Sequence, residues 1–225
     1  MSARAFPFFF PVYLFACTAC GKGLAKGEGV LCTRCLRSLP RDRDSHLEIE
    51  LLFAGECRID PLFALFQHHR ASRHRRLVHA VKYRDREQLG VYLGKMIGER
   101  IAGRVAAEMI VPVPLHPARQ RARGFNQAAR LARGIAEVLH LPTREEVIRR
   151  VIDNPSQTGL NPGERMANVE RVFAVTDREA LEGKHLLLVD DVITTGATIA
   201  SCLHELGSIP GIRVSVACLS RALVS

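Results

Sequence analysis

The chain has 225 residues, a formal net charge of +9 and a hydrophobic fraction of 47%, which suffices for one ordinary domain plus a small appendage. No apolar run approaches the roughly 18 residues of a membrane-spanning helix, and the absence of tryptophan, with 6% aromatic residues, argues against an aromatic stacking surface. The basic charge suits a phosphorylated ligand or a nucleic acid, or it serves solubility alone.

Two CxxC pairs lie near the N-terminus, Cys17 with Cys20 and Cys32 with Cys35. Each pair can wrap two thiolates around one ion, and two pairs complete a tetrahedral site of four sulfurs. Such a small segment has little core of its own, so the metal would supply its folding energy. We predict that residues 1–40 form a head with a structural Zn²⁺, an iron–sulfur cluster or redox disulfides being the alternatives.

The apolar stretch Phe6–Ala16 ends just before Cys17, as in a lipoprotein signal, but two prolines interrupt it. Export is therefore not expected. Three scattered cysteines are interpreted as small buried apolar residues, which suits a reducing cytoplasm; they are Cys57, Cys202 and Cys218. The predicted location is cytoplasmic.

Residues 41–70 are interpreted as a connector to the main domain at 71–225, with a strand-like pattern over Arg58–Gln67. The apolar spacing from Ser72 to Val105 is helical, with a break near Asp85. The opposite face of the first part of this helix is basic. It is either a solvated face or a contact surface for phosphates or nucleic acid. Its basic residues are His68, His69, Arg70, Arg73, His74, Arg75, Arg76, His79, Lys82, Arg84 and Arg86.

The rest of the chain alternates strands with helices. The predicted strands are Met109–Pro114, Arg144–Ile152, Val172–Val175, Leu186–Val189 and Val214–Leu219. Between them lie a helix ending near His140, a loop at Asp153–Gly163, a short helix at Arg165–Glu170 and a helix at Ile199–Leu206. This alternation indicates an α/β fold with a mostly parallel sheet flanked by helices.

The segment Leu186–Thr198, LLLVDDVITTGAT, combines two kinds of polar group. Asp190 and Asp191 follow a buried strand, at the sheet edge where α/β proteins bind ligands. A loop then supplies hydroxyls and backbone amides at a helix start, which favours an anion; it comprises Thr194, Thr195, Gly196, Ala197 and Thr198. A ribose 5-phosphate fits both parts, with the carboxylates on its hydroxyls. The alternative is helix capping with threonine turn chemistry.

The turn after Met109–Pro114 is a second candidate anion site, because adjacent parallel strands end at one crevice. Leu115 and His116 can receive a diphosphate, and the nearby Arg119, Arg121 and Arg123 can neutralise it. An aromatic and two amide side chains follow, which could contact a base or backbone phosphates; these are Phe125, Asn126 and Gln127. The alternative is a basic loop at a helix start, with His116 packed or capping and Asn126 or Gln127 as a cap.

Leu186–Thr198 resembles the PRPP-binding motif of type I phosphoribosyltransferases. The segment VPVPLHPxRxxxRGFNQ, which ends at Gln127, together with the four-cysteine head, resembles the ComF family of competence-associated proteins. His79–Tyr83, Gln157–Leu160 and Glu164–Asn168 resemble further family motifs. The resemblance implies a type I phosphoribosyltransferase-like domain with an N-terminal zinc knuckle.

The resemblance also implies a ligand and a role. PRPP with Mg²⁺ would bind at Asp190 and Asp191, the predicted catalytic residues, under a lid at Gln157–Asn168. Lys82 and Arg165 are further candidate contacts for the diphosphate or DNA. The favoured role is the handling of single-stranded DNA in competence, with a helicase partner. The alternatives are an active phosphoribosyltransferase of nucleotide metabolism with an unidentified acceptor, and a structural scaffold.

Overall fold

The computed structural model describes residues 16–42, 59–69, 71–83, 87–152 and 172–223. Its strands are β1 (Ile59–His68), β2 (Met109–Pro112), β3 (Ile148–Arg150), β4 (Phe173–Val175), β5 (His185–Ile193) and β6 (Arg213–Ala222). Four of them form a parallel sheet in the order β1–β6–β5–β2. The predicted α/β architecture with a mostly parallel sheet is confirmed.

Helices cover both faces of this sheet. They are α1 (Thr33–Arg37), α2 (Arg75–Ala80), α3 (Glu87–Ile101), α4 (Pro117–Arg123), α5 (Gln127–Leu139) and α6 (Ala197–Gly207), with a 3₁₀ turn at Glu179–Leu181. Successive residues of a strand point to opposite faces. Leu187 and Val189 of β5 accordingly join the cluster of α2, α3 and α5, whereas Leu186 and Leu188 pack with α6. All four side chains are fully buried.

The cysteine head lies against the main domain. Cys17, Leu31 and Cys35 are buried in the same hydrophobic cluster as α2 and α3. Beyond α1, the carboxylate of Asp42 accepts a hydrogen bond from Arg221 at the end of β6, with 2.9 Å between Arg221 Nη2 and Asp42 Oδ1. The head therefore packs on the main domain through an apolar contact, and the chain just after it is joined to the sheet by a buried ion pair.

The predicted connector contains a strand of the main sheet. β1 lies within residues 41–70 and pairs in parallel with β6. Its residues 62–66 are all buried. A strand that is covered on both faces reads as a continuous apolar run rather than an alternating one, which is the pattern of this segment.

Two predicted strands form a separate unit. β3 and β4 pair with each other in antiparallel register and form a two-stranded sheet outside the main one. Each has three residues, too few to carry a pattern that specifies a pairing partner.

The long predicted helix is divided into α2 and α3, in agreement with the predicted break. The loop Asp153–Gly163, the helix Arg165–Glu170 and Cys57 lie outside the described residues. Among the helices that the structure describes, none is long and apolar enough to cross a membrane.

Candidate functional site

Strand β5 carries the two adjacent carboxylates. The strand continues through Asp190 and Asp191 to Ile193, beyond its predicted end. Because side chains alternate along a strand, the two carboxylates leave the sheet on opposite faces. Asp191 is on the face of α2, and Asp190 is on the face of α6.

Each carboxylate has a cation near it. Lys82, two residues beyond α2, places its Nζ 3.6 Å from Oδ2 of Asp191. On the other side, Arg150 of β3 acts electrostatically on Asp190. Lys82 is a candidate from the sequence, and the fold brings it to the carboxylate pair. Arg150 was missed by sequence reasoning, because it lies in a short strand with no motif and only the β3–β4 pairing brings it here.

The surroundings of Asp190 favour its protonated form. Burial, and then the neighbouring charge of Asp191, raise the pKa of Asp190 to about 8. The backbone N–H of Asp191, which donates to Asp190 Oδ1 at 2.8 Å, and the charges of Lys82 and Arg150 offset part of this rise. Two neighbouring carboxylates that cannot both ionise without cost suit a bound cation.

A cleft opens where β5 leads into α6. It has a volume of about 210 Å³, partly open to solvent, and is lined by Asp190 and residues 192–199. Gly196 stands immediately before α6 with φ 80°, a left-handed conformation that favours glycine. The N-cap residue Gly196 provides no side-chain cap, and the first turn of α6 has no acidic residue, so no carboxylate of this turn competes with an anion for the amides at the helix start.

The threonine side chains frame this cleft. Thr194, Thr195, Ala197 and Thr198 are exposed, whereas Gly196 is buried. Thr195 Oγ1 accepts a hydrogen bond from the N–H of Ala197 at 3.5 Å. The loop thus presents hydroxyls and amides at a helix start, an arrangement that can hold a phosphate.

The second predicted patch begins at α4, after β2. His116 caps this helix, and its Nδ1 accepts a hydrogen bond from the N–H of Ala118 at 3.3 Å; Leu115 is half-buried beside it. No residue of α4 is buried. Its seven residues carry three arginines and no acid, with Arg119 and Arg121 exposed and Arg123 half-buried.

The aromatic and amide part of this patch lies mostly inside the fold. Phe125 and Gln127 are 5% and 2% exposed. Asn126 caps α5, because its side chain accepts from the N–H of Ala128 at 3.1 Å and donates to the carbonyl of Val113 at 3.0 Å. Asn126 thus connects the segment after β2 to the start of α5, and the arginines of α4 are left as the surface groups of the patch.

The four cysteines of the head come together. Cys17, Cys20, Cys32 and Cys35 place their sulfurs within 4.8 Å of one another, and the sulfurs of Cys20 and Cys32 are 3.8 Å apart. A tetrahedral zinc site with bonds of about 2.3 Å requires sulfurs about 3.8 Å apart. The geometry therefore fits a Zn²⁺.

The thiols of this cluster differ in acidity. Desolvation raises the pKa of Cys17, but backbone hydrogen bonds from Cys32, Cys20 and Ala19 outweigh it and bring the pKa to about 7. Burial, followed by hydrogen bonds within the cluster, raises the pKa of Cys35 to about 12. Four ionised thiolates at this spacing need a cation to balance them.

Arg165 and the predicted lid Gln157–Asn168 lie outside the described residues. The described candidates therefore form three groups. The first is the carboxylate pair with Lys82 and the cleft, the second is the basic helix α4, and the third is the cysteine cluster.

Residues 122–223 match the phosphoribosyl transferase domain family. A DNA utilization protein, YhgH, of Escherichia coli K12 is 30% identical over 153 residues, which are 65% of this chain and 66% of the relative. Competence protein F of Haemophilus influenzae is 36% identical over 44% of this chain and 45% of the relative. Competence protein ComFC of Bacillus subtilis is 39% identical over 44% of this chain and 39% of the relative.

The aligned segment thus spans just under two thirds of the first relative and less than half of the other two. The matched domain contains the carboxylate pair and the threonine loop, and the four-cysteine cluster precedes it. Residues 122–223 therefore match a phosphoribosyl transferase domain that follows a four-cysteine cluster, and the chain is similar to YhgH, competence protein F and ComFC.

Proposed function

We propose that this protein binds PRPP, or a related phosphoribosyl ligand, with Mg²⁺ at the end of β5 and takes part in the handling of single-stranded DNA in the cytoplasm. One observation supports the binding of a phosphoribosyl ligand. A carboxylate pair near Lys82 and Arg150 lies next to a cleft at the start of a helix. A sugar phosphate needs hydrogen-bond acceptors for its hydroxyls and hydrogen-bond donors for its phosphate, and the two sets must lie close to each other.

Each part of the ligand has a partner among the described residues. Asp190 and Asp191 accept hydrogen bonds from the ribose hydroxyls, and the loop 194–198 holds the 5-phosphate at the start of α6. Lys82 attracts the diphosphate as a mobile point charge. Leu115 and His116 are proposed to lie on the far side of the diphosphate.

The carboxylate pair also suits Mg²⁺, which binds to one or two carboxylates and to substrate phosphates while keeping several waters. The raised pKa of Asp190 supports this assignment, because a cation relieves the repulsion between the two carboxylates. The ion would neutralise charge on the diphosphate.

The ligand class is tested by calorimetric titration with PRPP, ribose 5-phosphate and pyrophosphate, each with and without Mg²⁺. We expect PRPP to bind most tightly and only with Mg²⁺. Equal affinity for pyrophosphate alone would contradict the ribose half of the assignment, because the contacts to the ribose hydroxyls and the 5-phosphate would then contribute nothing.

The second half of the proposal draws on the relatives, whose names refer to competence and to DNA utilization. The basic helix α4 supports it, since a helix without buried residues that carries three arginines suits a polyanion. Arg119, Arg121 and Arg123 are the proposed DNA contacts, and a competence helicase is the proposed partner.

Changing these three arginines to alanine tests the DNA surface. We expect weaker binding of single-stranded DNA and a shallower dependence on salt, because fewer counterions are released. Thermal unfolding of the variant serves as the check on folding. Unchanged DNA affinity would contradict the assignment of α4.

An active phosphoribosyltransferase is the second candidate function, favoured by the family match over the carboxylate pair and its loop. Catalysis of this kind rests on positioning and on charge stabilisation as pyrophosphate leaves. Pyrophosphate release that requires both PRPP and an acceptor would establish it. Release without any acceptor would indicate only hydrolysis.

A further inference from the structure

Tyr83 is an exposed aromatic side chain at the end of α2. Large exposed hydrophobic side chains are rare in the part of the chain that the structure describes: Tyr83 is 62% exposed, and Val151 follows at 42%. Its backbone N–H donates to the carbonyl of Ala80 at 3.2 Å, and that of Lys82 donates to His79 at 3.1 Å. Tight turns therefore hold the backbone of Tyr83 where α2 ends, while its ring remains in solvent.

The exposed side of α2 is basic. Residues 71–83 contain no aspartate or glutamate, so no acidic side chain within the segment neutralises its charge. We call this region the α2 surface; it comprises Arg73, Arg75, Arg76, His79, Lys82 and Tyr83, all exposed except the half-buried Lys82. The apolar side of the same helix is fixed to the core through Leu77, which is fully buried.

Lys82 sets the position of this surface relative to the proposed phosphoribosyl site. Its Nζ is 3.6 Å from Asp191 Oδ2, and consecutive Cα atoms are about 3.8 Å apart. Tyr83 is therefore the next residue along the chain after Lys82, whose side chain reaches that site. A ligand that followed the α2 surface would arrive at the carboxylate pair.

We propose that the α2 surface binds single-stranded nucleic acid, with phosphates along the basic side of α2 and one base stacked on Tyr83. A basic track that contacts the backbone, combined with an aromatic ring that stacks on a base, is how proteins bind single strands without sequence preference. The proposal deepens the DNA-handling role proposed above and rests on it. It names a second contact surface, distinct from α4 and adjacent to the phosphoribosyl site.

A single strand fits this surface better than a duplex does. In a duplex the faces of the bases are stacked on one another, whereas in a single strand they are available to an aromatic ring. α2 has six residues, less than two turns, and offers no long helix for a groove. Aromatic residues are sparse in this chain, so the stack involves one base rather than a series.

The test compares two fluorescent oligonucleotides of equal charge, an oligothymidylate of about 12 nucleotides and an abasic strand of the same length. Wild-type protein is expected to bind the oligothymidylate more tightly. Tyr83→Ala is expected to weaken that binding roughly tenfold and to leave the abasic strand unaffected. Tyr83→Phe retains the ring and is expected to retain the preference for the oligothymidylate. Tyr83→Leu retains the apolar bulk without the ring and is expected to lose that preference.

The charge of the surface is tested with a matched pair of variants. Arg76→Ala is expected to weaken binding of both strands equally and to reduce the slope of log affinity against log salt by about 0.7 for one lost phosphate contact. Lys184→Ala removes a positive charge that is 44% exposed at the opposite end of β5. That control is expected to leave both affinities and the salt slope unchanged.

Two results would overturn the inference. One is a Tyr83→Ala variant that retains the full preference for the oligothymidylate. The other is an equal loss of affinity for both strands in that variant, which would mean that the side chain supports the local structure and does not stack on a base. Calorimetry with PRPP on the same samples separates this inference from the phosphoribosyl assignment. If Tyr83→Ala still binds PRPP and still prefers the oligothymidylate over the abasic strand, the α2 surface is rejected and the phosphoribosyl assignment stands.

Discussion

At the scale of single residues, the two carboxylates of the candidate site differ in their surroundings. Asp191 pairs with Lys82, whereas Asp190 lies on the opposite face, where the charges of Lys82 and Arg150 offset only part of its raised pKa. The Lys82–Asp191 pair is only partly screened from solvent, at 36% and 19% exposure. Exposed pairs of this kind add little to stability, which agrees with a role in binding a ligand rather than in holding the fold.

Lys82→Ala is expected to weaken PRPP binding about tenfold while the free energy of unfolding changes by less than about 1 kcal/mol. The reason is that the ammonium group contributes more to binding of the diphosphate than to the stability of the fold. Lys82→Arg is expected to recover only part of the affinity, because a guanidinium is not a compact point charge. Calorimetry and urea unfolding measure the two effects. A large loss of stability with unchanged affinity would assign Lys82 to structure.

The raised pKa of Asp190 predicts a pH dependence. The folded-state pKa, about 8, lies above the ordinary value of 3.8, so the ligand-free folded protein holds a proton that the unfolded chain has released. Stability should therefore fall as the pH rises between these two values. Binding of Mg²⁺ and PRPP displaces the same proton, so the affinity should increase from about pH 6.5 to about pH 8.5.

Titrations in buffers of different ionisation enthalpy measure this proton release. Asp190→Asn is the matched control, because PRPP itself also titrates and only the contribution of Asp190 is removed. Identical proton release in wild type and variant would contradict the assignment.

At the scale of elements, α3 and α5 cross at two glycines. A Cβ at Gly94 would lie 2.2 Å from the carbonyl oxygen of Leu131, and one at Gly134 would lie 2.1 Å from that of Val91. No real side chain fits at these distances, so the backbones themselves are in contact. This crossing holds the two helices against the face of the sheet that carries Asp191.

Gly94→Ala is expected to destabilise the protein by about 1–3 kcal/mol through overpacking, although alanine favours an exposed helix by up to about 1 kcal/mol relative to glycine. Gly90→Ala is the comparison variant, since a Cβ there would lie 2.8 Å from the Cβ of Arg130, which must shift, but 3.9 Å from the nearest backbone atom. Urea unfolding should show the larger loss at Gly94. A stabilised Gly94→Ala would contradict the crossing.

Much of the sheet could be predicted because buried parallel strands read as short aliphatic runs. Leu186–Val189 and Met109–Pro114 are runs of this kind. The spacing of the cysteines predicted the cluster in the head. The apolar run of β1 is typical of a strand covered on both faces, but the sequence does not specify that it pairs with β6 or that β3 pairs with β4, because partner choice depends on distant contacts. Arg150 was missed for the same reason.

At the scale of the whole molecule, a buried ion pair connects the segment just after the head to the sheet. Asp42 is 3% exposed and Arg221 is 8% exposed, and Arg221 also belongs to the end of β6, opposite Ile193 of β5. The end of the four-cysteine head is thereby fixed close to the strand that carries the carboxylates. Removing one member of such a pair leaves a buried charge without its counterion.

Asp42→Ala is expected to cost about 3–5 kcal/mol of unfolding free energy. Asp42→Leu combined with Arg221→Met is expected to recover most of this loss, since the uncompensated charge is then absent. Denaturant unfolding of the single and double variants provides the comparison. Equal losses in both would mean that packing, rather than charge, connects the head to the sheet.

The central claim is that a phosphoribosyl ligand binds at the carboxylates of β5. Its most direct test is calorimetric titration of PRPP with Mg²⁺ into the wild type and into the double variant Asp190→Asn/Asp191→Asn. We predict binding at one site per chain and a loss of roughly a hundredfold or more in the variant, because two charge-assisted interactions disappear. A folded wild type that does not bind, or a variant that binds as tightly, would contradict the account.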